Sequence, residues 1–125
     1  MNLLLDTHAV IWAFSNDSRL SPAAREAIED GSNPVFVSAV SAWEIVIKKA
    51  LGKLEAPDNY REELDAHAFI ALDITTAHAV HVGDLPAHHQ DPFDRLLVAQ
   101  AQVEGLTIVT RDVNVQRYDV SIVPT

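Results

Sequence analysis

Short runs of consecutive apolar residues alternate along the chain with longer segments whose apolar positions recur at helical spacing. Five runs have the length and the aliphatic content of buried strands: residues 3–5, 35–37, 69–72, 107–110 and 120–123. Their apolar residues are continuous rather than alternating, which is typical of strands that are covered on both faces. The last run is closed by Pro124 and is therefore predicted to lie at a sheet edge.

The segments between these runs predict helices. Ser21-Pro22 has the N-cap and first-turn pattern of a helix that ends near Gly31, and a second helix begins after Ser38 or Ser41. The other predicted helices span residues 9–14, 59–67, 75–82 and 94–104, and residues 83–93 are predicted to form a loop. This alternation predicts parallel strands joined by right-handed crossovers, so we expect an α/β fold with helices on both faces of the sheet.

Length and composition limit the class of protein. With 125 residues the chain suffices for one core, so residues 1–125 are expected to form a single domain. The chain begins with a strand rather than a basic leader, no apolar run approaches the roughly 20 residues of a membrane span, and cysteine is absent. These features favour a cytoplasmic protein with no membrane association. The formal net charge of −9 argues against a protein that binds nucleic acid through its overall field, so any such contact must come from a few local cations.

Four carboxylates occupy comparable places in this pattern. Asp6 directly follows the first predicted strand, Glu44 lies in the helix after the second, and Asp112 follows the fourth after one intervening residue. Because ligands of parallel sheets bind beyond the carboxyl ends of the strands, we expect these three acids to share one edge. Asp94 opens the helix that leads into the fourth strand, and it joins them if the 83–93 loop crosses the top of the sheet.

Carboxylates gathered at one edge repel one another unless a cation intervenes, so we expect at least one raised pKa. Hard oxygen ligands suit Mg²⁺ or Mn²⁺, and one or two such ions activate water in phosphodiester hydrolysis. Each acid also has a purely structural interpretation: Asp6 and Asp112 as caps, residues 91–94 as an ordinary helix start, and Glu44 as an ion pair with Lys48. The coincidence of all four, and the apolar surroundings of Glu44, favour the metal site.

Four segments carry a family resemblance: LLLDTH at 3–8, SAVSAWEIVIKKALGKL at 38–54, HQDPFDRLLVAQA at 89–101 and LTIVTRD at 106–112. Together they resemble the VapC-type toxins of the PIN-domain nucleases over nearly the whole chain. The resemblance implies a three-layer α/β/α sandwich around a five-stranded parallel sheet, a homodimer, and Mg²⁺- or Mn²⁺-dependent endoribonuclease activity. It also implies inhibition by a small cognate antitoxin whose tail covers the active-site groove. The family's catalytic and metal-binding acids fall on Asp6, Glu44, Asp94 and Asp112.

Residues beside these acids are supporting candidates. Thr7 and Thr110 flank the site in sequence, and their hydroxyls either orient a carboxylate or a metal-bound water or are ordinary turn hydroxyls. Asp91 is close enough to Asp94 to support or replace it. The candidate contacts to the RNA backbone are Lys48, Lys49, Arg95 and Arg111. The alternatives are surface ion pairs for the two arginines and a solvated helix face for the two lysines. We do not expect a histidine to take part in catalysis. The alternative is a PIN-like binding module that no longer cuts and acts through a protein partner, for which divalent ions are not required.

Overall fold

A five-stranded parallel sheet forms the centre of the fold. The computed structural model describes residues 1–125, and its strands are β1 (Leu3–Leu5), β2 (Val35–Ser38), β3 (Ile70–Leu72), β4 (Thr107–Thr110) and β5 (Ser121–Pro124). Their order in the sheet is β3-β2-β1-β4-β5, and every pairing is parallel. Both β2 and β4 pair with β1, so the direction of winding reverses there. The carboxyl ends of these three strands therefore meet at the point where parallel sheets form binding crevices.

Six helices connect the strands: α1 (Thr7–Ser15), α2 (Pro22–Glu29), α3 (Ala39–Ala50), α4 (Tyr60–Ala66), α5 (Thr76–His81) and α6 (Pro92–Glu104). Leu3 and Leu5 pack into one core with residues of α1 and α2, whereas Leu4 packs into a second core with residues of α3 and α6. Successive side chains of β1 thus enter cores on opposite faces of the sheet. This is the predicted three-layer α/β/α arrangement, which the structure confirms.

The helix ends differ from the predicted ones by a few residues because capping side chains set them. Helix α1 starts at Thr7, two residues earlier than predicted, since the Asp6 side chain accepts a hydrogen bond from the Ala9 amide. Helix α6 starts at Pro92 because Asp91 is its N-cap, and Asp94 therefore lies in the first turn. The longest helix, α6, has 13 residues, and no helix in the structure has the length and apolar character that crossing a membrane requires.

The segment between α5 and α6 brings the start of α6 to the carboxyl end of the sheet. It begins with a short 3-10 turn (Val82–Asp84) and then runs without regular structure to Pro92. The Arg95 guanidinium donates to the carbonyls of Val82, at 3.3 Å, and Pro86, at 2.8 Å, and Arg117 donates to the carbonyl of His88 at 2.9 Å. Charged donors that satisfy these loop carbonyls hold the segment in one path.

Candidate active site

A pocket of about 420 Å³ at the carboxyl ends of β1 and β4 contains one apolar residue among the eleven that line it. Its carboxylates are Asp6, Glu44, Asp91, Asp94 and Asp112. All four acids singled out in the sequence thus meet in one pocket, and Asp91 lies beside them. A larger cavity of about 530 Å³ lies near the amino ends of β2 and β3, but half of its lining residues are apolar and none of the predicted site residues reaches it.

Asp6 combines a structural role with a place in the pocket. One carboxylate oxygen caps α1 by accepting from the Ala9 amide at 2.9 Å, and the other accepts from the Thr110 hydroxyl at 2.5 Å. The Thr110 oxygen in turn accepts from the Asp112 amide at 3.0 Å, so one hydroxyl connects two of the acids. Burial raises the pKa of Asp6, and the hydrogen bond from Thr110 opposes that rise. The capping interpretation of Asp6 is therefore correct, and it does not remove this carboxylate from the site.

Glu44 is almost completely buried, with 3% of its surface exposed. One carboxylate oxygen accepts from the Thr7 hydroxyl at 2.5 Å, and the other is paired with the ammonium group of Lys48. The structural interpretation of Glu44 requires an ion pair at the surface. The observed pair does not fit it, because the Glu44 carboxylate is buried. Burial alone would lower the pKa of Lys48, but its hydrogen bond to Glu44 and the charges of Glu44, Asp91 and Asp94 raise it. Lys48 consequently remains cationic and offsets part of the negative charge of the pocket.

Asp94 is a second carboxylate whose ionisation its surroundings oppose. Burial, the charge of Asp91, a hydrogen bond and the charge from Asp112, and the charge of Glu44 together raise the pKa of Asp94 to about 8. Repulsion from the neighbouring acids contributes to this rise, as expected of carboxylates that share a pocket, while burial is the larger cause. Asp112 itself is oriented by the Asn114 amide, which donates to its carboxylate at 2.8 Å.

The chemistry of this donor set fits a hard divalent cation. The acids offer only oxygen ligands, and a cation would relieve the repulsion that the raised pKa of Asp94 reflects. In the present side-chain positions, no three acidic or histidine side chains converge closely enough to hold an ion together. Glu44 is engaged by Thr7 and Lys48, so its carboxylate would have to exchange the Lys48 contact for a metal ion.

Three cations line the acidic pocket. Lys48 and Arg111 are two of the predicted RNA contacts, while Arg19 was not predicted. The guanidinium carbons of Arg19 and Arg111 lie 5.2 and 4.9 Å from the centre of the Trp12 ring. Arg19 is also paired with Asp17, and Arg111 donates to the carbonyls of Thr125 and Arg19, so these contacts together hold both arginines at the rim. His8, which also lines the pocket, packs on Trp12 with 5.6 Å between the ring centres. No local sequence pattern marks Arg19, because its place depends on the fold of the α1–α2 connection.

Two of the predicted RNA contacts are not in the pocket wall. Lys49 is paired with the exposed carboxylate of Asp58, outside the pocket. Arg95 turns away from the acids, and its guanidinium is occupied by loop carbonyls and by the Tyr118 hydroxyl at 3.0 Å. The structure therefore does not bring Arg95 to the acids, since a neighbour in sequence on a helix points in another direction, and its contact with phosphate stays a prediction.

Comparisons with known proteins agree with this geometry. The PIN domain model matches residues 3–121. Ribonuclease VapC22 of Mycobacterium tuberculosis is 32% identical over 114 residues, which cover 88% of this chain and 86% of that protein. VapBC2 from Rickettsia felis, bound to a DNA fragment from their promoter, superposes with a TM-score of 0.73 at 16% identity and covers 99% of this chain and 98% of that chain. DNA-bound VapBC from Salmonella typhimurium superposes with a TM-score of 0.72 at 21% identity, with the same coverage of 99% and 98%.

Proposed function

This chain belongs to the PIN-domain family, and we propose that it is a metal-dependent endoribonuclease that acts as the toxin of a toxin–antitoxin pair. The observation that supports this proposal most strongly is the convergence of Asp6, Glu44, Asp94 and Asp112, from four separate segments, on one pocket. The 32% identity to a protein named as a ribonuclease supports the activity. The similar VapBC structures support the toxin role.

In this proposal the four carboxylates hold Mg²⁺ or Mn²⁺. The ion, when bound, would act as a Lewis acid on a phosphate oxygen and make a bound water more acidic than bulk water. The protein's own contribution is to orient the ligands: Thr110 and Thr7 each donate to one carboxylate. Asp91 supports the site by capping α6 through the amides of Phe93 and Asp94.

The cationic rim of the pocket, formed by Arg19, Lys48 and Arg111, is proposed to bind the phosphates that flank the scissile bond. A guanidinium presents several N–H donors in a plane and matches a phosphate better than a single ammonium does. The rim lies directly beside the carboxylates, so an RNA strand held there would present a phosphodiester to the metal site. Local cations of this kind allow RNA binding by a chain whose net charge is −9.

We further propose that residues 1–125 act as a single domain, as a homodimer in the cytoplasm, and under the control of a small antitoxin. A pocket with five carboxylates is a favourable target for a cationic segment of such a partner. The catalytically silent binding module gains no support, because none of the four carboxylates is missing or displaced from the pocket.

The proposal is tested by sequencing the 5′ ends of cellular RNA after induced expression. Wild type should generate new 5′ ends that Asp6→Asn does not generate, since the variant keeps the shape of the side chain and loses its charge. Asp58→Asn is the matched control, because Asp58 lies outside the pocket and its side chain is 98% exposed. Identical 5′ ends in wild type and Asp6→Asn would show that this carboxylate pocket is not a ribonuclease site.

A further inference from the structure

His89 lies between Asp94 and a buried tyrosine from the other end of the chain. Its Nδ1 atom is 2.8 Å from the Tyr118 hydroxyl, and its Nε2 atom is 3.4 Å from Oδ2 of Asp94. The imidazole side chain is 12% exposed and does not line the acidic pocket. It therefore contacts Asp94 from outside the pocket wall. It is the only lysine, arginine or histidine side chain with a nitrogen within 4 Å of the Asp94 carboxylate.

The hydrogen-bond partners of Tyr118 decide which nitrogen of His89 is protonated. A guanidinium only donates, and Arg95 lies 3.0 Å from the Tyr118 oxygen, so this oxygen accepts from Arg95. Of the two groups within hydrogen-bond distance of the Tyr118 hydroxyl, Nδ1 of His89 is the only one that can accept, so the buried hydroxyl hydrogen is directed to it. A neutral imidazole with an accepting Nδ1 carries its proton on Nε2, the atom that faces Asp94.

We infer that His89 is a positioning residue for Asp94, with its Nε2–H held toward Oδ2 of that carboxylate by the series Arg95, Tyr118 and His89. The contact of 3.4 Å is longer than an ordinary hydrogen bond, so it orients the carboxylate rather than immobilising it. The inference also gives Arg95 a role, since the arginine that follows Asp94 in sequence acts on it through Tyr118.

The effect of His89 on metal binding by Asp94 rests on the proposed function. The tautomer of His89 does not, because it is a property of the metal-free protein. Two-bond ¹⁵N–¹H correlation spectra of the full chain should show His89 as the Nε2–H tautomer. Tyr118→Phe keeps the ring beside His89 and removes the hydroxyl hydrogen, so the fraction of the Nδ1–H tautomer should rise. An unchanged His89 tautomer in Tyr118→Phe, or the Nδ1–H form in wild type, would overturn the inference.

Mn²⁺ binding, measured by titration calorimetry, tests the consequence for Asp94. His89→Leu should weaken Mn²⁺ binding by about tenfold or more, the usual effect of losing a residue that orients a metal ligand. His89→Gln should stay within a few-fold of wild type, because its amide N–H extends to the position of Nε2. The control is His88→Leu, since His88 packs on Tyr118 and makes no hydrogen bond to Asp94.

Equal Mn²⁺ affinities of His89→Leu and His88→Leu would contradict the positioning role. So would a folded His89→Gln variant that binds Mn²⁺ as weakly as His89→Leu does. If His89→Leu does not fold, the tautomer measurement on Tyr118→Phe decides. Wild type that binds no Mn²⁺ and cuts no RNA would instead refute the proposed function, while the tautomer result would still confirm or overturn the series Arg95, Tyr118 and His89.

Discussion

Thr110 donates a hydrogen bond of 2.5 Å to Asp6 and so joins the end of β4 to the residue after β1, across 104 positions of sequence. Thr7 makes the equivalent bond to Glu44, also at 2.5 Å, between the start of α1 and the body of α3. Two hydroxyls thus orient two carboxylates that belong to different segments. These hydrogen bonds give two of the clustered carboxylates a fixed orientation in the pocket.

Removal of the Thr110 hydroxyl is expected to reduce activity and stability together. Thr110→Val should lower the rate of RNA cleavage by about tenfold or more, the usual effect of losing a hydrogen bond that orients a metal ligand. It should also cost about 1–3 kcal/mol of unfolding free energy, because a buried oxygen of Asp6 loses its donor. Thr110→Ser retains the hydroxyl and should recover most of both. Cleavage assays and urea unfolding measure these effects, and an inactive, unstable Thr110→Ser would show that the methyl group matters instead.

Neutralisation of a pocket acid should abolish cleavage by the purified protein. Asp6→Asn and Asp94→Asn each remove a proposed ligand, and a metal ion supplies several kcal/mol of transition-state stabilisation. The rate should therefore fall by about 100-fold or more. Wild type should cut RNA in Mg²⁺ or Mn²⁺ and not in excess EDTA, and Asp58→Asn should behave as wild type. Full activity in EDTA would rule out a metal-dependent mechanism.

The same substitution at Asp94 should stabilise the metal-free protein. The pKa of Asp94 in the folded state is about 8, above its ordinary value of 3.8. Between these values the folded state holds a proton that the unfolded state has lost, so the free energy of unfolding falls as pH rises from about 4 to about 8. Asp94→Asn has no such proton to lose. At pH 8.5 it should exceed wild type by at least about 1 kcal/mol, the repulsion of two unit charges about 4 Å apart in water.

Thermal and urea unfolding at pH 5 and pH 8.5 measure this difference, which should be larger at the higher pH. Added Mn²⁺ should stabilise wild type by about 2.7 kcal/mol at a hundredfold excess over its dissociation constant, and Asp94→Asn by much less. If Asp94 is only a favourable acid in the first turn of α6, the variant will be less stable than wild type and Mn²⁺ will leave both unchanged.

Two adjacent lysines of α3 provide a matched pair for the RNA contacts. Lys48 lines the pocket, whereas Lys49 is paired with Asp58 outside it. Lys48→Gln should lower kcat/KM for RNA by about tenfold. The slope of log binding constant against log salt concentration should become shallower by about 0.7, the value for one phosphate contact on a single strand. Lys49→Gln should have little effect at 0.15 M salt, where charges more than about 8 Å apart are screened. Equal losses in both variants would favour a diffuse field over a defined contact.

The proposed antitoxin should recognise the same charges. Copurification of the chain with a co-expressed cognate partner, followed by surface plasmon resonance, measures the affinity. At pH 8.5, above the pKa of Asp94, Glu44→Gln combined with Asp94→Asn should weaken it by about tenfold or more, because a cationic segment of the partner would lose two opposite charges on largely buried side chains. Unchanged affinity of this double variant, beside an Asp58→Asn control, would mean that the partner binds another surface.

Local patterns in the sequence determined the strands, most of the helices and three of the four acids of the candidate site. Consecutive apolar residues in β1 and β4 mark strands buried on both faces, and all three leucines of β1 are completely buried. Asp6 and Asp112 follow those strands closely, so parallel pairing alone brings them to one edge. Glu44 follows β2 by one and a half helical turns, and a buried acid among apolar residues already indicates a special environment.

The tertiary structure decided where the remaining groups lie. Asp94 reaches the pocket because Arg95 and Arg117 hold the α5–α6 segment through its carbonyls, and these contacts join residues up to 29 positions apart. Arg19 reaches the pocket with its guanidinium over the Trp12 ring. The side chains of Lys48 and Lys49 point in different directions because successive helical residues are rotated by about 100°. Sequence patterns record burial and local conformation, which depend on near neighbours. The direction of a long polar side chain depends instead on partners that only packing brings together.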